Sequence, residues 1–149
     1  MKKIIIASDH VAVILKDKII SFLKNKNCEI NDMGVNNEDS VDYPDIAANA
    51  CREFNQGGYD FGILLCGTGI GMSLAANKIK GIRCAVVHDL FTAEMAKAHN
   101  NANFLAFGGR VKYSVPVTGM IEIFMNANFS DERHIRRVNK IMGIEEQEK

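Results

Sequence analysis

Apolar residues fall into short continuous runs, separated by stretches where they recur every three or four positions. The run Ile4-Ile5-Ile6-Ala7 is short and β-branched, and predicts a strand buried on both faces. Val11, Leu15, Ile19, Phe22 and Leu23 follow at helical spacing and predict an amphipathic helix over 11–25. A second strand is expected over 28–33, closed by Gly34, and residues 36–42 form a polar loop. Pro44 suits the first position of a helix, where its missing N–H costs nothing. Residues 59–66 are the most apolar strand, followed by a glycine-rich turn and a helix over 72–80. A strand over 83–87, a helix over 91–99 and a strand over 103–107 come next. Helices over 115–126 and from 132 to about 142 close the pattern.

Strand–helix alternation with continuously apolar strands predicts a three-layer α/β/α sandwich on a parallel sheet. The 149 residues suit one domain, 1–149, which buries roughly 70% of its unfolded surface. Eighteen basic residues balance eighteen acidic ones, which argues against nucleic acid or an anionic membrane as partner. The N-terminal apolar run is too short for a signal core, and no run approaches the ~18 apolar residues of a span. A cytoplasmic protein with reduced thiols is therefore expected. Cys28, Cys51, Cys66 and Cys84 include no CxxC pair, so a zinc knuckle or thioredoxin-type motif has no support, and the lack of metal-ligand spacing predicts no metal.

In parallel sheets ligands bind beyond the carboxyl ends of the strands. The residues expected there are Asp9-His10, Cys66-Gly67-Thr68-Gly69-Ile70-Gly71 and Gly108-Gly109-Arg110. The glycine run is neither GxGxxG nor a Walker loop. It reads as a turn whose amides converge on a negative oxygen, or as a tight structural turn. Cys66 stands where strand hands over to helix, a setting in which thiols favour the thiolate. Cys28, Cys51 and Cys84 read as core residues. Asp9 reads equally as a helix cap. His99-Asn100-Asn101 reads either as chemistry or as an ordinary helix terminus. His88 reads as surface. Arg133 and Arg137 share a helix face with Lys140, a like-charge spacing that costs roughly 0.2–0.5 kcal/mol per pair. Either water or a bound phosphate offsets that repulsion. Ile135, Val138 and Met142 read as the buried side of that helix.

Several of these residues, in order, carry a resemblance: Asp9-His10-Val11, Asp42-Tyr43-Pro44, Cys66 to Gly71 with Ala75-Ala76-Asn77-Lys78, His99-Asn100, Gly108-Gly109-Arg110, and Arg133-His134 with Arg137. Over essentially its whole length the chain resembles the type B ribose-5-phosphate isomerases, a family shared with galactose-6-phosphate and allose-6-phosphate isomerases. The resemblance implies a Rossmann-like, five-stranded parallel sheet of order 2-1-3-5-4 and a homodimer, in some members a dimer of dimers. It implies an enzyme of the pentose phosphate pathway that needs no cofactor. Cys66 would shuttle a proton between C1 and C2 through a cis-enediolate. Thr68 and the amides of Gly67, Gly69, Ile70 and Gly71 would hold the oxyanion, and His99 with Asp9 would open the furanose ring. His10, Arg133 and Arg137, joined by Arg110, would bind phosphate, and Tyr43 and Asn100 would contact hydroxyls. His99, Asn100 and Arg110 would come from the neighbouring subunit. A second branch of the family has glycine at the Cys66 position and glutamate at the Met72 position, so this chain falls in the cysteine branch. The alternatives are a hexose 6-phosphate isomerase on the same fold and a non-catalytic phosphometabolite sensor. A flavodoxin-like carrier is disfavoured, because the chain has no Trp and no aromatic in the glycine loop.

Overall fold

Each apolar run becomes a central strand. In the computed structural model, which describes residues 1–148, the strands are β1 (Lys3–Ser8), β2 (Glu29–Asp32), β3 (Phe61–Cys66), β4 (Cys84–Val86) and β5 (Phe104–Gly108). They alternate with α1 (Val13–Asn25), α2 (Tyr43–Asn55), α3 (Ile70–Ala76) and α4 (Leu90–Ala98). Two helices, α5 (Val117–Asn126) and α6 (Glu132–Gln147), complete the fold. All pairings are parallel and the order is β2-β1-β3-β5-β4, as expected.

Successive strand residues feed opposite cores. Ile4, Ile6, Ile63, Leu65, Leu105 and Phe107 pack on one face with residues of α1, α4 and α5. Ile5, Ala7, Leu64, Cys66, Phe104 and Ala106 pack on the other with residues of α2 and α3. The three-layer expectation holds. No helix among the described residues is long and apolar enough to cross a membrane.

Gly62 of β3 lies under the ring of Phe104, which stands where a side chain at 62 would go. The ring is fully buried, with the Phe54 ring edge-on to it at 5.0 Å between centroids. Gly62→Ala is therefore expected to destabilise the fold by about 1–3 kcal/mol through overpacking. An unchanged urea midpoint would show that the ring can yield.

The ends of two helices and the buried face of one differ from expectation. α3 stops at Ala76 rather than at residue 80 because the Asn77 side chain turns away from the helix. Its amide donates to the Cys84 carbonyl at 2.9 Å, and its oxygen accepts from the Cys84 N–H at 2.7 Å. α6 runs past Gly143 to Gln147, where the Glu145 carboxylate accepts the Gly81 N–H at 3.1 Å. Within α6 the buried residues are His134 and Val138; Met142 is half-buried, and Ile135 is exposed rather than buried. Residue 134 faces the chain's own body because its ring stacks on His99, which turns Ile135 outward.

Candidate active site

The carboxyl ends of β1, β3 and β5 bring one group of residues together. Cys66 ends β3, is 5% exposed, and its Sγ accepts the Gly69 N–H at 3.2 Å. Gly69 can turn back over the thiol because it adopts φ 84°, which it tolerates without a Cβ clash. The Thr68 hydroxyl accepts the Ile70 N–H at 3.2 Å, which fixes the turn into α3. The Tyr43 ring lies against the Cα of Gly71, so any side chain at 71 would strike it. The Arg110 side chain crosses Gly67, its Nη1 standing 3.9 Å from where a Cβ would be. Asp9 is buried and Oδ1 accepts the Val11 N–H at 3.0 Å, so its capping role is realised while it stays at the site. His10 is half-buried, and its Nδ1 accepts the Val41 N–H at 3.4 Å.

A second group assembles elsewhere. His99 caps the C-terminus of α4, and Asn101 two residues on adopts φ 43°, the left-handed turn that asparagine tolerates. The His99 and His134 rings stack with centroids 3.9 Å apart and planes 22° from parallel. Arg133 Nη2 lies 3.4 Å from His134 Nε2. Arg133 and Arg137 are both exposed on this face. Desolvation, then the neighbouring His99, Arg133 and Arg137, hold His134 below the ordinary imidazole range, with Asp131 opposing.

These groups stand at opposite edges of the sheet. α4 carries the chain from the carboxyl edge back to the edge where strands begin. There the Asn103 carbonyl accepts the Gly62 N–H, and the Arg83 guanidinium bonds the Asn101 carbonyl at 2.8 and 3.0 Å. The six residues of β3 span ~20 Å between those edges. His99 and Asn100 therefore do not meet Cys66 within a single chain; the resemblance had drawn them from the neighbouring subunit. Arg110, which the resemblance grouped with them, lies instead on its own chain's Gly67. The signal was legible, since a helix that follows a parallel strand ends at the opposite edge. The contribution of His134 was not, since nothing in the sequence spacing joins α4 to α6.

The remaining cysteines behave as core. Burial pushes the Cys51 thiol up to about 12 and raises Cys28 and Cys84 as well. Met72 is fully buried, and His88 is exposed as expected. Among the described residues, no three His, Cys, Asp or Glu side chains cluster as a metal site would.

The fold and its thiol-bearing glycine turn define a parallel α/β protein with a site at the carboxyl edge of the sheet. Residues 4–141 match the family described as Ribose/Galactose Isomerase, and the chain belongs to that family. Ribose-5-phosphate isomerase B of Escherichia coli is 38% identical over 146 residues, 98% of each chain. The ribose-5-phosphate isomerase B structure from Clostridium thermocellum is 41% identical, with a TM-score of 0.94 over 99% of both chains. The structure of the Mycoplasma genitalium enzyme with bound ribulose-5-phosphate is 39% identical, with a TM-score of 0.90 over 97% of this chain and 96% of that one.

Proposed function

We propose that the protein is an aldose–ketose isomerase that interconverts ribose 5-phosphate and ribulose 5-phosphate. The observation that carries this reading is the Cys66 thiol, set on an amide-lined turn between Tyr43 and Arg110. Relatives across nearly the whole chain are named ribose-5-phosphate isomerase B, which supports the same substrate here.

In the reaction, His99 with Asp9 moves the protons that open the furanose ring. The Cys66 thiolate takes the C2 proton of the open aldose, leaving a cis-enediolate. Its negative oxygen is held by Thr68 and the amides of Gly67, Gly69, Ile70 and Gly71. The proton returns to C1, and a hydroxyl proton moves to the other oxygen, so no electrons leave the substrate. His10, Arg133, Arg137 and Arg110 hold the phosphate, while Tyr43 and Asn100 fix hydroxyls.

This assignment requires a homodimer. Cys66, Asp9, His10, Tyr43 and Arg110 form one half-site, and His99, Asn100, Arg133 and Arg137 form the other. A two-fold axis that apposes opposite sheet edges of two copies completes two sites at once.

Arg137→Ala is expected to raise KM for ribose 5-phosphate at least about tenfold, a loss typical of a charge-assisted phosphate contact. An unchanged KM would return that helix face to solvent.

The family description also names galactose, which keeps a hexose 6-phosphate isomerase as the second reading. Ketose formation from ribose 5-phosphate, allose 6-phosphate and galactose 6-phosphate, measured in parallel, separates the two. A kcat/KM far higher on ribose 5-phosphate supports the pentose reading, and preference for a hexose phosphate overturns it. Binding without turnover on any of the three would make the protein a sensor.

A further inference from the structure

Lys16 is the one large charged side chain on the buried stripe of α1. Ala12, Lys16, Ile19 and Leu23 succeed one another at helical spacing, and each is at most 1% exposed. A lysine is almost never buried so fully unless it is paired. Its Nζ donates to Asp32 Oδ1 at 2.8 Å and Oδ2 at 3.0 Å, to the Val35 carbonyl at 2.7 Å and to Asn36 Oδ1 at 2.7 Å. Three N–H groups facing four acceptors leave nothing over for a ligand.

Core stability does not account for this arrangement. Replacing a buried ion pair with apolar residues of similar volume is often neutral or stabilising, because both charges lose hydration. A hydrocarbon at 16 would fill the stripe as well. What it could not do is hold three successive parts of one loop on a single point.

That loop is where the first half-site is built. The Gly34 carbonyl accepts the Ser8 N–H at 2.7 Å, and the Val35 N–H donates to the Ser8 carbonyl at 2.8 Å, one residue before Asp9. Gly34 N–H also donates to Asp32 Oδ1 at 2.9 Å, so the same carboxylate serves the ammonium and the loop. Further along, the Val41 N–H reaches His10 Nδ1 and leaves Nε2 to carry the imidazole proton. Two residues later Tyr43 opens α2, with its ring on Gly71.

We propose that Lys16 is a positioning residue, whose ammonium group sets the 32–42 segment against the end of β1 and so orients His10 and Tyr43 toward the sugar phosphate. The inference rests on the isomerase reading for its kinetic consequence and on geometry for the rest.

Lys16→Met and Asn36→Ala test it together. Asn36 is exposed, so its truncation removes one acceptor without touching the core. With ribose 5-phosphate, KM is expected to rise about tenfold in Lys16→Met and about threefold in Asn36→Ala, with kcat within about twofold of wild type. Amide exchange should quicken at Val35 and Val41 in both variants, while β3 and β5 keep their protection. A KM unchanged in both variants, or a fall in kcat at constant KM, would overturn the proposal. The latter is what a smaller folded fraction produces. If Lys16→Met does not fold, Asn36→Ala decides alone by the same criteria. If wild type turns over no sugar phosphate, the isomerase reading has failed instead. Unchanged exchange at Val35 and Val41 would then remove Lys16 as the setter of the loop, and faster exchange would retain it.

Discussion

Cys66→Ala is expected to lower kcat for ribose 5-phosphate about a thousandfold, the middle of the range for losing a positioned acid–base group. Substrate should still bind, because the proposed phosphate ligands lie on other elements. The side chain is small and sits at the end of a fully buried strand, so truncation removes the sulfur and leaves only the Gly69 N–H without its acceptor. No other thiol is placed to substitute for it: Cys51 is buried on the inner face of α2, and burial raises Cys28 and Cys84 as well. Coupled-assay kinetics together with calorimetric binding of ribose 5-phosphate read both quantities. Turnover within tenfold of wild type would mean that another group takes the C2 proton, and the role given to Cys66 would be wrong.

Complementation between two dead variants is the second large expected effect. Cys66 and His99 stand at opposite edges of one chain, so a shared site draws one residue from each subunit. Cys66→Ala and His99→Asn should each be nearly inactive alone. Random pairing of the two chains makes half the dimers mixed. Each mixed dimer holds one site with both defects and one with neither, so about a quarter of wild-type activity should return. Co-expression with two affinity tags isolates the mixed species. Mixed dimers as inactive as either parent would show that the half-sites do not meet across an interface.

Much of this architecture is legible in the residue pattern, for identifiable reasons. Buried parallel strands must be apolar on both faces, so Ile4-Ile5-Ile6 and Phe61-Gly62-Ile63-Leu64-Leu65 announce themselves. The end of α3 does not, because it depends on Asn77 finding the backbone of Cys84, a contact made only after folding. Lys16 is hidden for a related reason. A lysine at helical spacing reads as a solvated position until the loop that supplies its acceptors is seen. The Cys66 turn could be read from its glycines and its place after a strand. The stack of His99 on His134 could not, since it joins two helices that have no sequence relation. The separation of the two half-sites is present in the topology, because a helix that follows a parallel strand ends at the opposite edge of the sheet.

The last helix carries a consequence for how the protein responds to its medium. Val138 is the only apolar side chain that α6 gives to the buried set among the described residues. Its other ties include Glu145 to the Gly81 amide, the Arg83 guanidinium to the Met142 sulfur, and the exposed Lys80–Glu146 pair. Exposed charge pairs weaken as ionic strength rises, and so would the attraction proposed between Arg133, Arg137 and a phosphate dianion. The two guanidinium groups thus ride on a platform that the same ions loosen. On the proposed reading, salt then acts twice on one step, once on the ligand and once on the arm that reaches for it.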